Sequence, residues 1–302
     1  MTSIGADAIL LIAAAVWGFA FVAQRVGMSY MGPLAFNAIR FGLGALILMP
    51  LVIWETRSIR TKIQFDTMNR RQMISGILIT GSVLFAGATL QQAGIIYTTA
   101  GKAGFITGLY VIIVPVLGIA IGSTTNKSTW IGSFIAVIGL YFLSVEPDLT
   151  ISKGDGIVLL GAIAWAFHVH VIQAYVRRIG PFRLACAQFA ICSIFSAVGA
   201  AIFETLTLQD IRGAYIALLY GGFASVGVGY TLQVVGLRRA HPSHASIILS
   251  LEAVFAVIGG YLILSENLSK REFMGCVIML AGMLASQCRF PRRRKTSTAS
   301  EN

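Results

Sequence analysis

The stretch DAILLIAAAVWGFAFVAQRVGMSYMGPLAFNAIRF, residues 7–41, returns at residues 155–189 as DGIVLLGAIAWAFHVHVIQAYVRRIGPFRLACAQF. An Asp, a Trp, a Gly-Pro pair and a Phe keep their places in the two copies, 148 residues apart. Later landmarks recur in the same order: Leu90-Gln91-x-x-Gly94 as Leu232-Gln233-x-x-Gly236, and Gly132 and Gly139 as Gly275 and Gly282. Because both copies are strongly apolar, this self-similarity predicts a membrane protein built from two repeats.

The composition excludes an ordinary soluble domain. Of the 302 residues, 56% are hydrophobic and 12% are charged, and the mean hydropathy is +0.80, whereas soluble domains carry about 25% charged residues. The net charge of +11 does not indicate nucleic-acid binding, since the basic residues gather in short segments between apolar spans. The four cysteines form no C-x-x-C pair, so we expect no disulfide framework, no metal site and no cofactor.

The apolar runs predict ten membrane-spanning helices, because each is close to the roughly 20 residues that cross a bilayer core. Proline-containing joints separate several of them, and none alternates polar and apolar residues as the strands of a membrane barrel do. The ten helices are expected at residues 6–27, 33–54, 72–93, 101–121, 128–145, 155–175, 181–203, 213–236, 243–264 and 271–289.

The distribution of positive charge predicts the orientation. Most of the 23 Lys and Arg residues fall in loops that are cytoplasmic if the N-terminus is cytoplasmic, which places both termini on that side. Five helices per repeat is an odd number, so the second repeat enters the membrane from the opposite side. The expected fold class is therefore an all-α membrane protein with ten transmembrane helices in two inverted five-helix repeats.

Four short motifs stand out: AVWGF at 15–19, IRF at 39–41, GKAGFI at 101–106 and LEAVFA at 251–256. In these motifs the chain resembles the drug/metabolite transporter superfamily, specifically the ten-helix proteins with two EamA-type domains. It departs from the pattern at Ala253, where many relatives have a proline that kinks the ninth helix. The resemblance implies one EamA-type repeat at 1–148 (helices 1–5), a second at 149–290 (helices 6–10), and a disordered basic cytoplasmic tail at 291–302.

The sharpest candidate for a functional residue is Glu252, because a carboxylate near the middle of a membrane span is costly and usually functional. It could recognise a substrate amine, couple transport to protons, or hold helices together by pairing with Arg40. Arg40 lies inside the second span and could itself neutralise a carboxylate. Its counterpart in the second repeat is Gln188.

Two tryptophans, Trp17 and Trp165, occupy equivalent positions well inside the first and sixth helices. Tryptophans at membrane interfaces act as anchors, but mid-helix ones are better placed to form aromatic walls of a cavity or to pack helices. His168 follows Trp165 by three residues and shares its helix face. It could titrate during transport or line a polar cavity without titrating.

The remaining candidates are polar residues that match each other across the repeats. Gln91 and Gln233 are amides that could bridge helices or contact substrate. Tyr110 is the counterpart of Glu252 and is expected to face it. The predicted central cavity is thus lined by Trp17, Arg40, Gln91, Tyr110, Trp165, His168, Gln233 and Glu252.

The resemblance implies a secondary transporter of small organic solutes (amino acids, metabolites or amphipathic drugs), most often an exporter, that works by alternating access around this cavity. No Walker motif is present, so ATP is not the direct energy source and protons are a possible coupling partner. A nucleotide-sugar antiporter and an intramembrane transferase remain alternatives. For a transferase, the segment most similar to a catalytic site is His241-Pro242-Ser243-His244. We expect no enzymatic activity.

The same reasoning predicts where the protein resides and what it contacts. It is expected to be a multi-pass protein of a bacterial cytoplasmic (inner) membrane, with the lipid bilayer and a small organic solute as its partners and no nucleic acid. A monomer is sufficient because both repeats lie in one chain, and a dimer is compatible with the sequence.

Overall fold

The computed structural model describes residues 3–57, 69–120, 122, 127–145, 152–237, 248–249 and 251–287. The tail at 291–302 and the segment His241–His244 lie outside the described residues. The described chain is helical throughout, and its elements in order are α1 (Ser3–Gly27), α2 (Pro33–Arg57), α3 (Arg70–Gly94), α4 (Ala100–Gly108), α5 (Tyr110–Ala120), α6 (Lys127–Ser144), α7 (Lys153–Ile179), α8 (Pro181–Phe203), α9 (Leu208–Gly213), α10 (Tyr215–Leu219), a π-helix (Tyr220–Gly229), α11 (Tyr230–Leu237), α12 (Glu252–Leu264) and α13 (Lys270–Gln287).

Eight stretches of the described chain are long and apolar enough to cross a membrane. They correspond to the first eight predicted spans, with α4 and α5 together making one stretch and Tyr215–Gln233 another. The described part of the ninth predicted span, α12, is shorter. Large apolar side chains lie on the outside, including Phe134 (70% exposed) and Phe203 (79% exposed), which is the surface expected of a protein in lipid rather than in water.

Two predicted spans differ in detail from single helices. The fourth breaks at Leu109, whose N–H bonds the carbonyl of Ile106 and ends α4 before α5 begins. The eighth is assembled from α10, the π-helix and α11. The sequence YGGFASVGVG of the π-helix is rich in glycine, and the missing side chains let this wide turn approach Arg40 and Leu43 of α2.

The ninth span shows a break where the proline of many relatives is absent. Leu251 forms a turn, in which its N–H bonds the carbonyl of Ile248, and α12 begins at Glu252. The helix start therefore does not depend on a proline at position 253.

Repeat-equivalent helices pack on each other in opposite directions. Glu55, near the end of α2, accepts hydrogen bonds from the N–H groups of Phe182 (3.5 Å) and Arg183 (3.0 Å) at the start of α8. Conversely Glu204, just beyond α8, accepts from Leu34 (2.9 Å) and Ala35 (2.8 Å) at the start of α2. Each acid thus caps the partner helix, whose first N–H groups lack partners within their own helix. The two helices must run antiparallel.

The pair α6 and α13 shows the same relation through glycine. A Cβ placed on Gly132 would meet Gly282 and Ser286 of α13, and one placed on Gly139 would meet Gly275 and Met279, mostly at 2.5 Å. Later residues of α6 therefore face earlier residues of α13, so these helices also run antiparallel. Glycine is required at such close approaches because any side chain would collide with the facing backbone.

The two repeats interlock instead of lying side by side. The four most extensive helix pairs are α6 with α13, α2 with α8, α3 with α7, and α1 with α12. Every one of them joins a helix of the first repeat to a helix of the second. The space at the middle of the molecule is consequently walled by both repeats.

Candidate functional site

A central cavity lies between the repeats and encloses about 1030 Å³ of empty space, counting the part open to solvent. Its wall comes from α1 to α5 of the first repeat and from α7, α8, the π-helix, α11 and α12 of the second. The structure brings all eight candidate residues to this one wall: Trp17, Arg40, Gln91, Tyr110, Trp165, His168, Gln233 and Glu252. A concave site between helices with mostly apolar walls and a few convergent polar groups is typical of small-molecule binding.

A buried chain of hydrogen bonds crosses the wall from the second repeat to the first. The indole Nε1 of Trp165 donates to Oε1 of Gln91 (2.8 Å), and Nε2 of Gln91 donates to Oε1 of Gln24 (2.9 Å). Gln92 adds a bond from Nε2 to the backbone carbonyl of Gln24 (3.1 Å). Helices α7, α3 and α1 are thereby joined through amide side chains.

The equivalent tryptophan has a different partner. Trp17 Nε1 donates to the backbone carbonyl of Ser225 in the π-helix (3.0 Å). Gln233, the counterpart of Gln91, has no side-chain hydrogen bond to the described chain and faces the cavity. The two repeats therefore use the same Trp and Gln positions in different ways.

His168 and Arg40 share one region of the wall, where α7, α2 and α8 meet. The rings of Trp165 and His168 lie 5.5 Å apart in a T-shaped arrangement. His168 Nε2 bonds Oε1 of Gln188 at 2.8 Å. Arg40 donates from Nε to Oδ1 of Asn37 (2.9 Å), and its guanidinium lies 4.7 Å from the ring centre of Phe41.

Glu252 lies in another region of the wall, at the start of α12. It is buried, and it lines the cavity together with Tyr110, its counterpart in the first repeat. The suggested ion pair between Glu252 and Arg40 is not formed in the described structure. Packing explains this, because α2 packs on α8 and the π-helix while α12 packs on α1 and α4.

Buried polar groups gather at the end of the bundle where α1 ends and α4 and α7 begin, and we call this end the closed end. Gln24, Gln92, Lys102 and Asp155 define it, each no more than 8% exposed. Lys102 Nζ lies 2.7 Å from Oε1 of Glu272 and 3.9 Å from Oδ2 of Asp155. Lys102 thus serves as a buried ion-pair partner between the repeats.

Sequence reasoning missed Gln24 and Ser225. Gln24 is an amide inside an apolar helix, which is a signal of an interhelical bond, but its repeat counterpart is Ile172, so the comparison of repeats did not single it out. Ser225 contributes only a backbone carbonyl, for which no sequence signal exists. Among the residues that the structure describes, no group of three or more His, Cys, Asp and Glu could hold a metal ion.

Comparisons with known proteins agree with this architecture. The model of the EamA-like transporter family matches residues 5–145 and 152–286. An uncharacterized transporter of Archaeoglobus fulgidus is 30% identical over 281 residues, covering 92% of this chain and 84% of that protein. The uncharacterized transporter YoaV of Bacillus subtilis is 22% identical over 285 residues, covering 92% and 95%.

A solved structure supports the fold alone. A crystal structure with 14% sequence identity superposes with a TM-score of 0.65 and covers 94% of this chain and 98% of the other. The two family matches, together with the apolar spanning helices, make this an integral multi-pass membrane protein with two EamA repeats. The chain belongs to the EamA-like transporter family.

Proposed function

We propose that the protein is a secondary transporter that carries small organic solutes across a bacterial cytoplasmic membrane by alternating access. The observation that carries the proposal is the central cavity, which both repeats line and which holds the Glu252 carboxylate without an ion pair to any described residue. Antiparallel packing of equivalent helices supports two inverted repeats, an arrangement that can expose one site to either side in turn.

The proposed topology has ten spans with both termini in the cytoplasm. The fourth span is α4 with α5, the eighth runs through the π-helix, and α12 and α13 belong to the ninth and tenth. With this orientation, which rests on the positive-inside rule, the closed end faces outward. An exporter would load its solute at the opposite, cytoplasmic end.

The proposed solutes are amino acids or amphipathic cationic compounds. Glu252 is the group that would accept a protonated amine, and the rings of Trp17 and Trp165 are positioned to contact an apolar or aromatic moiety. Proton exchange at Glu252 would supply the coupling to a gradient.

The test is a thermal-shift screen of purified protein, followed by flux in vesicles with any ligand that raises the midpoint. The probes are amino acids, polyamines, quaternary ammonium compounds and nucleotide sugars. We expect amine-bearing probes to stabilise the wild type, and Glu252→Gln to weaken their apparent affinity about 10- to 100-fold, because one charge-assisted hydrogen bond is lost. Asp210→Asn is the matched control, since Asp210 lies outside the cavity in the capping box of α9.

Two outcomes would contradict the proposal. An amine response that is unchanged in Glu252→Gln, Trp17→Ala and Trp165→Ala would remove this cavity as the substrate site. A nucleotide sugar that stabilises the protein where amines do not would favour the antiporter alternative.

A further inference from the structure

Arg40 is a buried cation that lacks a carboxylate partner. The residue is 4% exposed, and no described acid lies within 4.0 Å of its guanidinium. Only Nε is used by the described chain, in the bond to Asn37, so the remaining N–H groups face the cavity. A charged side chain at this depth is costly unless it is paired.

Two orphan donors accompany the guanidinium. Nδ2 of Asn37 and Nε2 of Gln188 are buried without a hydrogen-bond partner, and both residues are 0% exposed. Their acceptor oxygens are already occupied, Oδ1 of Asn37 by Arg40 and Oε1 of Gln188 by His168. The paired helices α2 and α8 therefore carry more buried donors than acceptors here, and a buried donor without an acceptor is destabilising.

The packing of α2 on α8 brings Arg40 and Gln188 to the same cavity wall. Asn37 precedes Arg40 by one helical turn on the same face. Gln188 is the counterpart of Arg40 in the second repeat, and both line the cavity. Neighbouring contacts join the same two helices: the rings of Phe41 and Phe189 lie 5.7 Å apart.

We propose that Arg40 and Gln188, supported by Asn37, form an anion subsite in the cavity wall that binds a carboxylate or a comparable small anion. Guanidinium and amide N–H groups are the donors that match a carboxylate. Glu252 belongs to a separate region of the same wall. If the anion is part of the solute, the solute carries both charges; this consequence rests on the proposed function, whereas the subsite itself does not.

The experiment measures the thermal midpoint of the purified full-length protein with matched probes. Phenylalanine carries both charges, phenethylamine lacks the carboxylate, and 3-phenylpropionate lacks the amine; sodium chloride is compared with sodium gluconate at equal ionic strength. In the wild type we expect 3-phenylpropionate or chloride to raise the midpoint. In Arg40→Gln the apparent affinity for the active anion should fall about 10- to 100-fold, while Arg70→Gln, at the exposed start of α3, should behave as the wild type.

A second variant tests the subsite without any ligand. Gln188→Glu places a carboxylate beside Arg40 inside the protein, so it should raise the midpoint of the unliganded protein and abolish the response to added anions. Because this variant keeps Arg40, its outcome does not depend on whether Arg40→Gln folds.

The probes distinguish an anion that is part of the solute from a free anion. A response to 3-phenylpropionate that chloride does not compete for identifies a solute carboxylate, and a response to chloride alone identifies a free anion. The subsite is overturned if no anionic probe responds in the wild type and Gln188→Glu does not raise the midpoint. It is also overturned if anion responses survive Arg40→Gln unchanged. If phenethylamine raises the midpoint while the anion subsite is overturned, the proposed transport of amines is still supported.

Discussion

Gln24 joins α1 to α3 at the closed end through two hydrogen bonds. Its side-chain oxygen accepts a hydrogen bond from Gln91, and its backbone oxygen accepts one from Gln92, so one residue of α1 binds two amides of α3. Gln91 in turn accepts a hydrogen bond from Trp165. All three amides are buried, with exposures of 0–5%. In a buried site each of these groups needs its partner, since water cannot replace it.

Replacing Gln24 with Leu should lower the stability of the protein. The substitution keeps the volume but leaves Nε2 of Gln91 without an acceptor, which costs about 1–3 kcal/mol. The measurement is the midpoint of thermal unfolding, with Gln209→Leu on the exposed part of α9 as the control. Equal midpoints in the two variants would show that the chain of amides carries no net stability.

The candidate residues could be predicted from sequence because the repeat marks them. A polar or aromatic residue that recurs at the same place in two apolar segments is conspicuous, and Trp17, Trp165, Gln91 and Gln233 were found in this way. Their partners could not be predicted. Whether a tryptophan bonds an amide side chain, as Trp165 does, or a backbone carbonyl, as Trp17 does, depends on the local helical geometry of the facing element.

At the scale of the element, glycines decide how closely α6 and α13 approach. A Cβ on Gly139 would lie 2.5 Å from the backbone nitrogen of Met279 and 2.8 Å from the carbonyl oxygen of Gly275. Backbone atoms cannot rotate away as a flexible side chain can, so the helices themselves would have to separate.

We therefore expect Gly139→Val to destabilise the protein by about 1–3 kcal/mol or more, the range typical of overpacking. The control is Gly156→Val in α7, where an added Cβ would meet nothing within 4 Å. Thermal unfolding in the same detergent measures both. Similar losses in the two variants would contradict tight packing between α6 and α13.

Hydropathy predicted where the helices lie but not how they are built. The expected fourth and eighth spans are apolar throughout, and average apolarity is the same for an α-helix, a broken helix and a π-helix. The break at Leu109 and the wide turns of Tyr220–Gly229 are differences in backbone hydrogen bonding. They depend on tertiary contacts, such as the approach of the π-helix to α2, that no local pattern contains.

At the scale of the whole molecule, the two repeats are alike in sequence but differ in the contact that joins their tryptophan and glutamine. The bond from Trp165 to Gln91 is made, whereas the equivalent Trp17 bonds Ser225 and leaves Gln233 facing the cavity. Gln24 completes the first arrangement, and Ile172 stands at the matching position of the second. Under the proposed alternating access, this difference should favour the conformation in which the amides of the closed end are joined.

Substituting Ile172 with Gln should shift that bias, because it supplies the third member of the mirrored chain with Trp17 and Gln233. Spin labels at Ser29 and Lys153, both exposed at the closed end, would report the distance between α1 and α7 in a background without native cysteines. We expect a larger population of long distances in Ile172→Gln than in the parent, and Ile172→Leu as control should match the parent. An unchanged distribution would contradict the role given to this asymmetry.

The reciprocal caps of α2 and α8 have a consequence for how the protein is made. Translation delivers the start of α2 long before Glu204 exists, and Glu55 long before the N–H groups that it caps in α8. A nascent first repeat thus carries an uncapped helix start at one face of the bilayer and an unmatched acid at the other, both unfavourable in lipid. We therefore expect α2 to reach its final packing only after the ribosome has passed residue 204.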